Sequence, residues 1–406
     1  MKRVVITGIG IYSCIGKNLE EVKDSLYQGK SGIGIDPQRK EMGFRSGLTG
    51  ILDKPDLKGS LTRRQRIGLA DQGEYAYVST IEAMKQAGMD EDFLASGDVG
   101  IIFGNDSSAK PCIEAVDTLR LKNDTALIGS GSIFQSMNST VTMNLSTIFK
   151  LKGINLTVSA ACASGSHSIG LGYMMIKSGL QERIICGGAQ EVNYQSMGSF
   201  DGLGTFSVME KDPHTASKPF DKNRDGLVPS GGAATVIIES LESAQARGAR
   251  IYGEILGYGF SSNGDHISHP NVEGPTKSLE MAIKQANVKP SDIEYINAHA
   301  TSTLAGDLNE GRAILNVFGE KQPWLSSTKS MTGHEMWMAG ASEVVYSLLM
   351  MHNSFIAPNI NLKDPEDELK SLNFVFDTVD KDFNIFLSNS FGFGGTNSSL
   401  IIKKFD

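Results

Sequence analysis

The sequence predicts an α/β fold, and three observations support this prediction. Short β-branched runs recur along the chain, and stretches with helical spacing lie between many of them, as expected for strands that alternate with helices. The 406 residues exceed one ordinary domain of about 100–200 residues. Residues 4–10 also resemble residues 253–259, since each is an apolar run that ends in Gly-x-Gly. We therefore expect two similar α/β halves, at residues 1–250 and 251–406.

The predicted strands are the short runs rich in β-branched residues. They cover residues 4–7, 99–103, 156–159, 183–186, 234–238, 251–256, 293–297, 374–377, 385–388 and 399–402. The predicted helices with the clearest spacing cover residues 69–86, 167–179 and 276–286. Helix starts are indicated at Asn18 and at residues 291–292 after Pro290, and helix ends at Gly29, Gly88, Gly179 and Gly248.

Gly8 and Gly10 invite comparison with a dinucleotide-binding fingerprint, but the pattern is incomplete. Ser13 stands where the third glycine belongs, and no acidic residue follows at the distance of a ribose ligand. We expect a tight turn after a buried strand here instead.

Charge and cysteine content exclude several classes of protein. Lys+Arg 38 against Asp+Glu 46 leaves a net charge of −8, whereas nucleic-acid binding depends on excess cationic charge. Four cysteines without a C-x-x-C pair indicate a reducing compartment rather than a disulfide scaffold. The sequence lacks the ~7–15 apolar residues of an export signal and the ~18 apolar residues of a membrane span. We expect a cytoplasmic protein that binds neither nucleic acid nor membrane.

Cys162 is the candidate nucleophile. It lies between a predicted strand and a predicted helix, at an elbow where unpaired helical N–H groups and the helix dipole lower the pKa of a thiol. The flanking residues 161 and 163–165 are all small and leave room for a substrate. We expect the other cysteines to be buried and inert: Cys14, Cys112 and Cys186.

Two later segments supply histidines close to predicted strand ends. His299 follows an apolar run, and His334 stands five residues after Lys329. Imidazoles at such positions can act as acid, base or charge stabiliser near neutral pH. A metal site of the zinc type is disfavoured, because no close Cys/His pairs frame either segment. We interpret the remaining histidines as structural or exposed: His167, His214, His266, His269 and His352.

The glycine-rich segment 388–397 directly follows a predicted strand. Its three glycines let backbone N–H groups point into a site, which is a common way to bind an oxyanion. Phe391 and Phe393 alternate with these glycines and are suited to a gate that excludes water. The alternative is a plain turn before the final strand.

Together these segments resemble the β-ketoacyl–acyl-carrier-protein synthases, in the branch with a Cys-His-His triad. The resemblance runs nearly end to end, from the Val-Val-Ile-Thr-Gly-Ile-Gly opening to the Asn-Ser-Phe-Gly-Phe-Gly-Gly-Thr-Asn close. The C-terminal third looks most similar to the type I synthase of bacterial fatty-acid elongation. The resemblance implies a thiolase-like fold, with two similar halves in an αβαβα layered arrangement, and a homodimer. It also implies an acyl carrier protein as partner, with substrates carried on its 4'-phosphopantetheine and no metal or redox cofactor.

The resemblance further implies roles for individual residues. Cys162 matches the nucleophile of the family, and His299 and His334 match its two histidines. The other matched positions are Lys329 and the buried Glu310 in support, Thr301 and Thr303 for the phosphopantetheine arm, Phe391 and Phe393 for the gate, and the N–H groups of Cys162 and Phe393 for the oxyanion hole. The implied reaction is a decarboxylative condensation of an acyl group on Cys162 with malonyl-carrier protein, which gives a 3-oxoacyl chain two carbons longer.

Two positions depart from the family pattern. Ala300 stands where the family usually has glycine, a mild change unless that backbone needs a positive φ. Trp337 stands in a segment where relatives carry small residues. Its ring either packs into the core against the neighbouring helix or reshapes the acyl pocket.

A basic cluster, Arg63, Arg64 and Arg66, stands out in this acidic chain. Such a cluster would steer an acidic carrier protein toward the site. The alternative is a solvated helix face.

Two alternatives to fatty-acid elongation stay open. The same chemistry serves polyketide or aryl-polyene pigment synthesis, which Trp337 and Ala300 favour. An inactive partner subunit that only sets chain length is the second alternative, against which the retained Cys162, His299 and His334 argue.

Overall fold

The computed structural model describes residues 1–95, 98–319 and 321–405. Its strands are β1 Val4–Ser13, β2 Ile33–Ile35, β3 Leu48–Gly50, β4 Val99–Gly104, β5 Asn155–Val158, β6 Arg183–Gln190, β7 Gly232–Ser240, β8 Gly253–Ser262, β9 Tyr295–Asn297, β10 Trp324–Ser326, β11 Phe355–Ile356, β12 Val379–Asp380, β13 Ile385–Gly392 and β14 Thr396–Lys404. Its α-helices are α1 Leu19–Gln28, α2 Pro37–Glu41, α3 Arg63–Ile67, α4 Asp71–Ala87, α5 Glu91–Ala95, α6 Ala109–Lys122, α7 Ser132–Ser136, α8 Thr140–Ile148, α9 Ser164–Lys177, α10 Tyr194–Leu203, α11 Leu241–Ala246, α12 Glu273–Ala286, α13 Leu304–Phe318, α14 Lys329–Thr332 and α15 Ala339–His352.

Ten strands form one continuous sheet in the order β10-β9-β13-β14-β8-β1-β7-β6-β4-β5. The five strands on each side of the centre follow one rule. In each half the first strand lies at the centre of the sheet, and the fifth, fourth, second and third strands follow outward. From the centre outward, the order is β1, β7, β6, β4, β5 in the first half and β8, β14, β13, β9, β10 in the second. The two groups meet where Val5 pairs with Glu254 and Ile6 with Gly253. The repeated order explains why residues 4–10 and 253–259 resemble each other, because they begin equivalent strands.

Helices cover both groups of strands in layers. The central helices α9 and α15 pack against each other. Helix α9 also packs on β4 and β6, and helix α15 packs on β7 and β13. On the outer faces, α4 packs on β1 and β7, and α12 packs on β8 and β14. Residues 339–351 of α15 are all buried, as expected for a helix enclosed between sheets. The arrangement agrees with the expected αβαβα layers.

The prediction of a turn at Gly8 and Gly10 is wrong, because both glycines lie inside β1. A Cβ atom at Gly10 would lie 2.0 Å from the carbonyl oxygen of Ser79 in α4. At Gly259 of β8, a Cβ atom would lie 1.9 Å from the carbonyl oxygen of Ser278 in α12. The glycines therefore allow an outer helix to approach its strand closely in each half.

Most other predicted elements are confirmed, with shifted ends. Asn18 caps α1 by accepting the Glu21 N–H at 2.9 Å, and Gly29 ends the same helix in the left-handed conformation. Residues 290–292 form only a single 3-10 turn. The predicted strand at 374–377 is wrong, since Phe374 makes one isolated bridge to Leu325. No helix in the described part of the chain is both long and apolar enough to cross a membrane.

Candidate active site

Cys162 lies at the elbow that the sequence predicts. It sits in a 3-10 turn, Ala161–Ala163, between β5 and the start of α9. Ala161 has a φ of +45°, an uncommon conformation for a residue with a side chain, and its N–H donates to the Asp106 carboxylate at 3.2 Å. The elbow places Cys162 at the N-terminus of the buried helix α9, with 7% of the residue exposed.

Burial raises the pKa of Cys162 to about 12, contrary to the lowered pKa that the elbow alone predicts. The positive charge of Lys329 and the N–H groups of Phe393 and Cys162 lower this pKa, whereas Asp106 raises it further. Because burial outweighs the stabilising groups, the thiol is protonated at neutral pH.

His299 and His334 lie side by side. Their ring centroids are 5.4 Å apart and the rings are nearly perpendicular, at 88°. Burial lowers the pKa of both imidazoles well below the usual value, and the charge of Lys329 lowers both further. Both are therefore neutral at physiological pH, with one N–H donor each. Their Nδ1 atoms are buried and have no hydrogen-bond partner within the described residues, which is typical of a functional site.

Glu310 holds the backbone around His299. Its Oε1 accepts the N–H of His299 at 2.9 Å, and its Oε2 accepts the N–H of Ala300 at 2.7 Å. The side chain of Asn389 donates to Oε1 at 3.1 Å. Burial raises the pKa of Glu310 to about 7, while these donors and Lys329 oppose the shift. Asn389, on β13, is a contributor that the sequence analysis missed.

Lys329 is buried and forms an ion pair with Glu343 of α15. Burial raises the pKa of Glu343, and Lys329 opposes that shift. The sequence analysis missed Glu343. A charged residue inside the otherwise apolar run of α15 was the available signal, because a buried carboxylate requires a partner.

One cavity of about 220 Å³ brings the predicted site residues together. Its lining includes Cys162, His299, His334, Glu310, Thr301, Thr303, Phe391 and Phe393. The hydroxyls of Thr301 and Thr303 are 3.1 Å apart. Phe391 packs edge-on to His299 with a centroid distance of 5.8 Å, and Phe393 is 38% exposed. Among the predicted catalytic residues, Lys329 lies outside this lining, in the core behind it. The predicted docking residues Arg63, Arg64 and Arg66 also lie outside it.

The outer wall of the cavity comes from residues 266–271, which the sequence analysis missed. His266 and His269 line this wall and are exposed, so the interpretation as exposed residues holds but was incomplete. The carbonyl of Ile267 accepts the N–H of Gly394 at 2.7 Å, which ties this wall to the glycine-rich turn.

Family comparison agrees with this geometry. Residues 1–244 match the model of the beta-ketoacyl synthase N-terminal domain, and residues 252–363 match the C-terminal domain. The chain belongs to the beta-ketoacyl synthase family. It is 41% identical to the 3-oxoacyl-(acyl-carrier-protein) synthase 1 of Haemophilus influenzae, with 100% of both chains covered. It is 40% identical to the synthase 1 of Escherichia coli strain K12, with 100% of this chain and 99% of that chain covered.

Solved structures of beta-ketoacyl synthases share the whole fold. A beta-ketoacyl synthase from Burkholderia phymatum STM815 is 33% identical and covers both chains fully, with a TM-score of 0.95. The ishigamide ketosynthase/chain length factor is 30% identical with a TM-score of 0.92, again over 100% of both chains. A ketosynthase in complex with a type II PKS acyl-carrier protein is 28% identical over 100% of both chains, with a TM-score of 0.90. The thiolase-like α/β fold is thereby confirmed.

The positions at which this beta-ketoacyl synthase departs from its family pattern have distinct surroundings. Ala300 is buried and does not adopt a positive φ, so its methyl group causes no backbone strain. Trp337 is buried in an apolar cluster that also contains Cys162. Of the other cysteines, Cys186 is buried, Cys14 is half-buried and Cys112 is exposed, so the expectation of burial is wrong for Cys112.

The basic cluster lies on the short helix α3. Arg63 and Arg64 are exposed, and Arg66 is half-buried. Thr62 and Gln65 form a capping box that fixes the start of this helix. Both interpretations of the cluster therefore stay predictions.

Proposed function

We propose that the chain catalyses the decarboxylative condensation of an acyl group, held on Cys162, with malonyl-acyl-carrier protein. The product is 3-oxoacyl-acyl-carrier protein, extended by two carbons, as in fatty-acid elongation. The observation that carries this proposal is the single cavity that a buried thiol shares with two neutral imidazoles. The curated relatives named above are synthases of 3-oxoacyl-acyl-carrier protein, which agrees with this chemistry.

The first step transfers the acyl group to the enzyme. The sulfur of Cys162 attacks the thioester carbonyl, the C–S bond to the carrier breaks, and the proton of Cys162 passes to the departing thiol. The N–H groups of Cys162 and Phe393 are the proposed donors to the oxyanion. The high pKa of Cys162 means that little thiolate is present before a substrate binds.

The second step joins the two chains. Loss of CO2 from the malonyl group leaves its electron pair as an enolate, whose oxygen accepts hydrogen bonds from His299 and His334. The enolate carbon attacks the acyl-Cys162 carbonyl, the Cys162 thiolate departs, and it takes one proton from water. Neutral imidazoles suit this task, because a donor that retains its proton stabilises the enolate without quenching it. The reaction as proposed uses no metal or redox cofactor.

Supporting groups keep these donors in place. We propose that Glu310 and the Lys329–Glu343 pair position the histidines, and that Thr301 and Thr303 bind the phosphopantetheine arm at the cavity wall. Phe391 and Phe393 are the proposed gate. The roles of Glu310, the threonines and the phenylalanines rest on their contact with the cavity or with the backbone of His299. The Lys329–Glu343 pair lies behind the cavity and acts on the histidines through its charge.

The proposed partners are an acyl carrier protein and a second copy of the chain, in the cytoplasm. Arg63, Arg64 and Arg66 offer positive charge to an acidic carrier. Strand β5 ends the ten-stranded sheet and exposes Leu156, so it provides a free edge for a homodimer. We retain residues 1–250 and 251–406 as the two halves of each copy.

Intact-protein mass spectrometry tests the reaction. Wild type, Cys162→Ala and Cys112→Ala would be incubated with acyl-carrier-protein thioesters that are saturated, cis-unsaturated or aryl, with and without malonyl-carrier protein. We expect acylation of wild type and Cys112→Ala but not of Cys162→Ala, and a product two carbons longer when malonyl-carrier protein is present. If wild type takes up no acyl group, the proposal fails and the partner-subunit alternative replaces it.

Polyketide or pigment synthesis is the second candidate pathway. It is favoured by the likeness to the ketosynthase in complex with a type II PKS acyl-carrier protein and by the bulky Trp337 near Cys162. A preference for aryl or polyenoyl thioesters in the same experiment would select it.

Docking on the basic cluster has its own test. Charge reversal at Arg63 and Arg64 should raise the apparent KM for carrier-protein substrates and weaken its dependence on salt. An unchanged KM would remove the docking role while leaving the chemistry intact.

A further inference from the structure

We propose that Trp337 limits the length of the acyl group that Cys162 accepts, so that short acyl thioesters are preferred. This inference rests on the proposed function and names the substrate class of the same site. It concerns the space next to the nucleophile, which an acyl group must enter once it is bound to sulfur.

The apolar surroundings of Cys162 are filled by protein side chains. A cluster of buried residues, here called the Trp337 cluster, contains Cys162, Met197, Phe206, Leu227, Met336 and Trp337. Phe200 and Ala161 pack against its edge. An acyl chain on Cys162 favours apolar contacts, since each buried methylene contributes about 0.8 kcal/mol in transfer from water. The indole of Trp337 fills part of this cluster, which is the apolar space proposed here for such a chain.

Aromatic contacts connect Trp337 to the gate. The Phe200 ring lies 6.2 Å from the Trp337 ring and 6.5 Å from the Phe393 ring. Phe206 lies on Phe200 at 6.3 Å. Phe200 lines the cavity, whereas Trp337 and Phe206 lie behind it. On the proposed path, an acyl chain that extends past Phe200 would meet the indole.

The indole is fixed at its polar edge and along its backbone. Its Nε1 donates to the Ser107 hydroxyl at 3.3 Å. The Trp337 carbonyl fits against two glycines, since a Cβ at Gly188 would lie 2.5 Å from it and one at Gly165 would lie 2.9 Å from it. The preceding Met336 has a φ of +47°. Because the backbone is wedged in this way, the ring cannot retreat by a small shift of the segment.

The volume of the cavity also favours short acyl chains. The cavity of about 220 Å³ must hold the reacting thioester and the end of the phosphopantetheine arm as well as any acyl chain. Short chains fit beside Cys162 without displacing the Trp337 ring, whereas long chains require its displacement.

Acylation rates as a function of chain length test this inference. The rate of Cys162 acylation would be measured by intact-protein mass spectrometry with butanoyl-, octanoyl- and dodecanoyl-carrier-protein thioesters. Trp337→Ala should raise the dodecanoyl-to-butanoyl rate ratio at least about tenfold, the lower end of the discrimination that one methylene provides in an apolar pocket. Trp324→Ala, which removes the only other tryptophan, is the matched control and should leave the ratio unchanged. An unchanged ratio in a Trp337→Ala protein that unfolds cooperatively overturns the inference.

A second measurement decides the question even if Trp337→Ala does not fold. In Trp324→Phe, Trp337 is the only tryptophan, so its fluorescence reports on the cluster alone. We expect dodecanoylation of Cys162 to shift the emission and butanoylation to leave it unchanged. Identical spectra after both acylations overturn the inference. Absence of any acylation of wild type overturns the proposed function and this inference with it, whereas acylation without chain-length dependence overturns the inference alone.

Discussion

The two halves of the chain share a scaffold and differ in the connections that leave it. Both halves place their five strands in the same order, and both bring an outer helix close to paired glycines. The connection between the fourth and fifth strands spans residues 191–231 in the first half and only residues 393–395 in the second. The long connection carries α10 with Phe200, and the short one carries Phe393. The repeated strands thus form a common scaffold. The unequal connections contact each other through the stacked rings of Phe200 and Phe393, which close the site.

The halves also divide the ionisable groups. The first half contributes Cys162 after its third strand, while the second contributes His299 after its second strand and Lys329 and His334 after its third. Equivalent strand ends therefore carry different chemistry. We infer that the first half accepts the acyl group and the second half drives the condensation.

The largest expected effect comes from the histidines of the second half. In His299→Ala and His334→Ala, condensation with malonyl-carrier protein should fall about 10²–10³-fold each, because one enolate donor is lost. Acylation of Cys162 should persist in both variants, since that step uses the first half and backbone donors. Single-turnover product formation and intact mass measure the two steps separately.

The matched control is His214→Ala, an exposed histidine outside the cavity lining. It should change neither step. If the histidine variants lose acylation and condensation to the same extent, the division between halves is wrong.

The next effect concerns Glu310, which acts on His299 through the backbone. Glu310→Ala leaves the N–H groups of His299 and Ala300 without their acceptor. The misplaced imidazole should lower kcat up to about a hundredfold with little change in KM. Glu310→Gln keeps one acceptor oxygen and should recover part of that loss.

Steady-state kinetics at matched thermal stability measure this split between kcat and KM. Glu368→Ala, which removes an exposed carboxylate paired with Arg312, is the control. A rise in KM without a fall in kcat would contradict the positioning role of Glu310.

A smaller effect concerns the pH dependence of stability. Glu335, beside His334, is buried and accepts hydrogen bonds from Ser13 at 3.1 Å and Tyr346 at 2.8 Å. Burial raises its pKa to about 7, above the unfolded value of 4.5. The folded state therefore binds more protons between about pH 4.5 and 7, and stability falls as pH rises through this window.

Glu335→Gln stays neutral and removes this contribution. Relative to wild type, its free energy of unfolding should gain roughly 1–3 kcal/mol between pH 4.5 and pH 8. Urea denaturation at both pH values measures the difference, with Glu368→Gln as the exposed control. Parallel pH profiles for wild type and Glu335→Gln would show that folding does not raise the pKa of Glu335.

Local sequence was sufficient for the groups that follow strand ends. Cys162, His299 and His334 could be located because a strand and the turn after it are recorded in neighbouring residues. For Glu343 the sequence offers only a charge within the apolar run of α15. It does not identify the partner, because Lys329 lies 14 residues away and the need for a partner arises only from burial. The pKa of Cys162 was misjudged for the same reason. The elbow is local, whereas the desolvation that outweighs it comes from packing.

Glycines at the strands show a second limit. Gly8 and Gly10 lack a Cβ atom, and this absence suits both a turn and a close contact with a helix. The sequence alone therefore could not distinguish the two structures. The contact with Ser79 decides for close packing. Trp337 shows the same limit. Its volume could be read from the sequence, but its neighbours could not.

The smallest expected effect tests whether Ala300 contributes only to the stability of the scaffold or also to the reaction. Its N–H donates to Glu310, its side chain is buried, and its φ is not positive. Ala300→Gly should therefore lower stability by only about 0.4–1 kcal/mol, through the added freedom of the unfolded chain, and leave kcat unchanged. Chemical denaturation and steady-state kinetics measure both quantities. A large change in kcat would mean that the methyl group orients His299, and the site would then depend on a residue that differs from the usual family pattern.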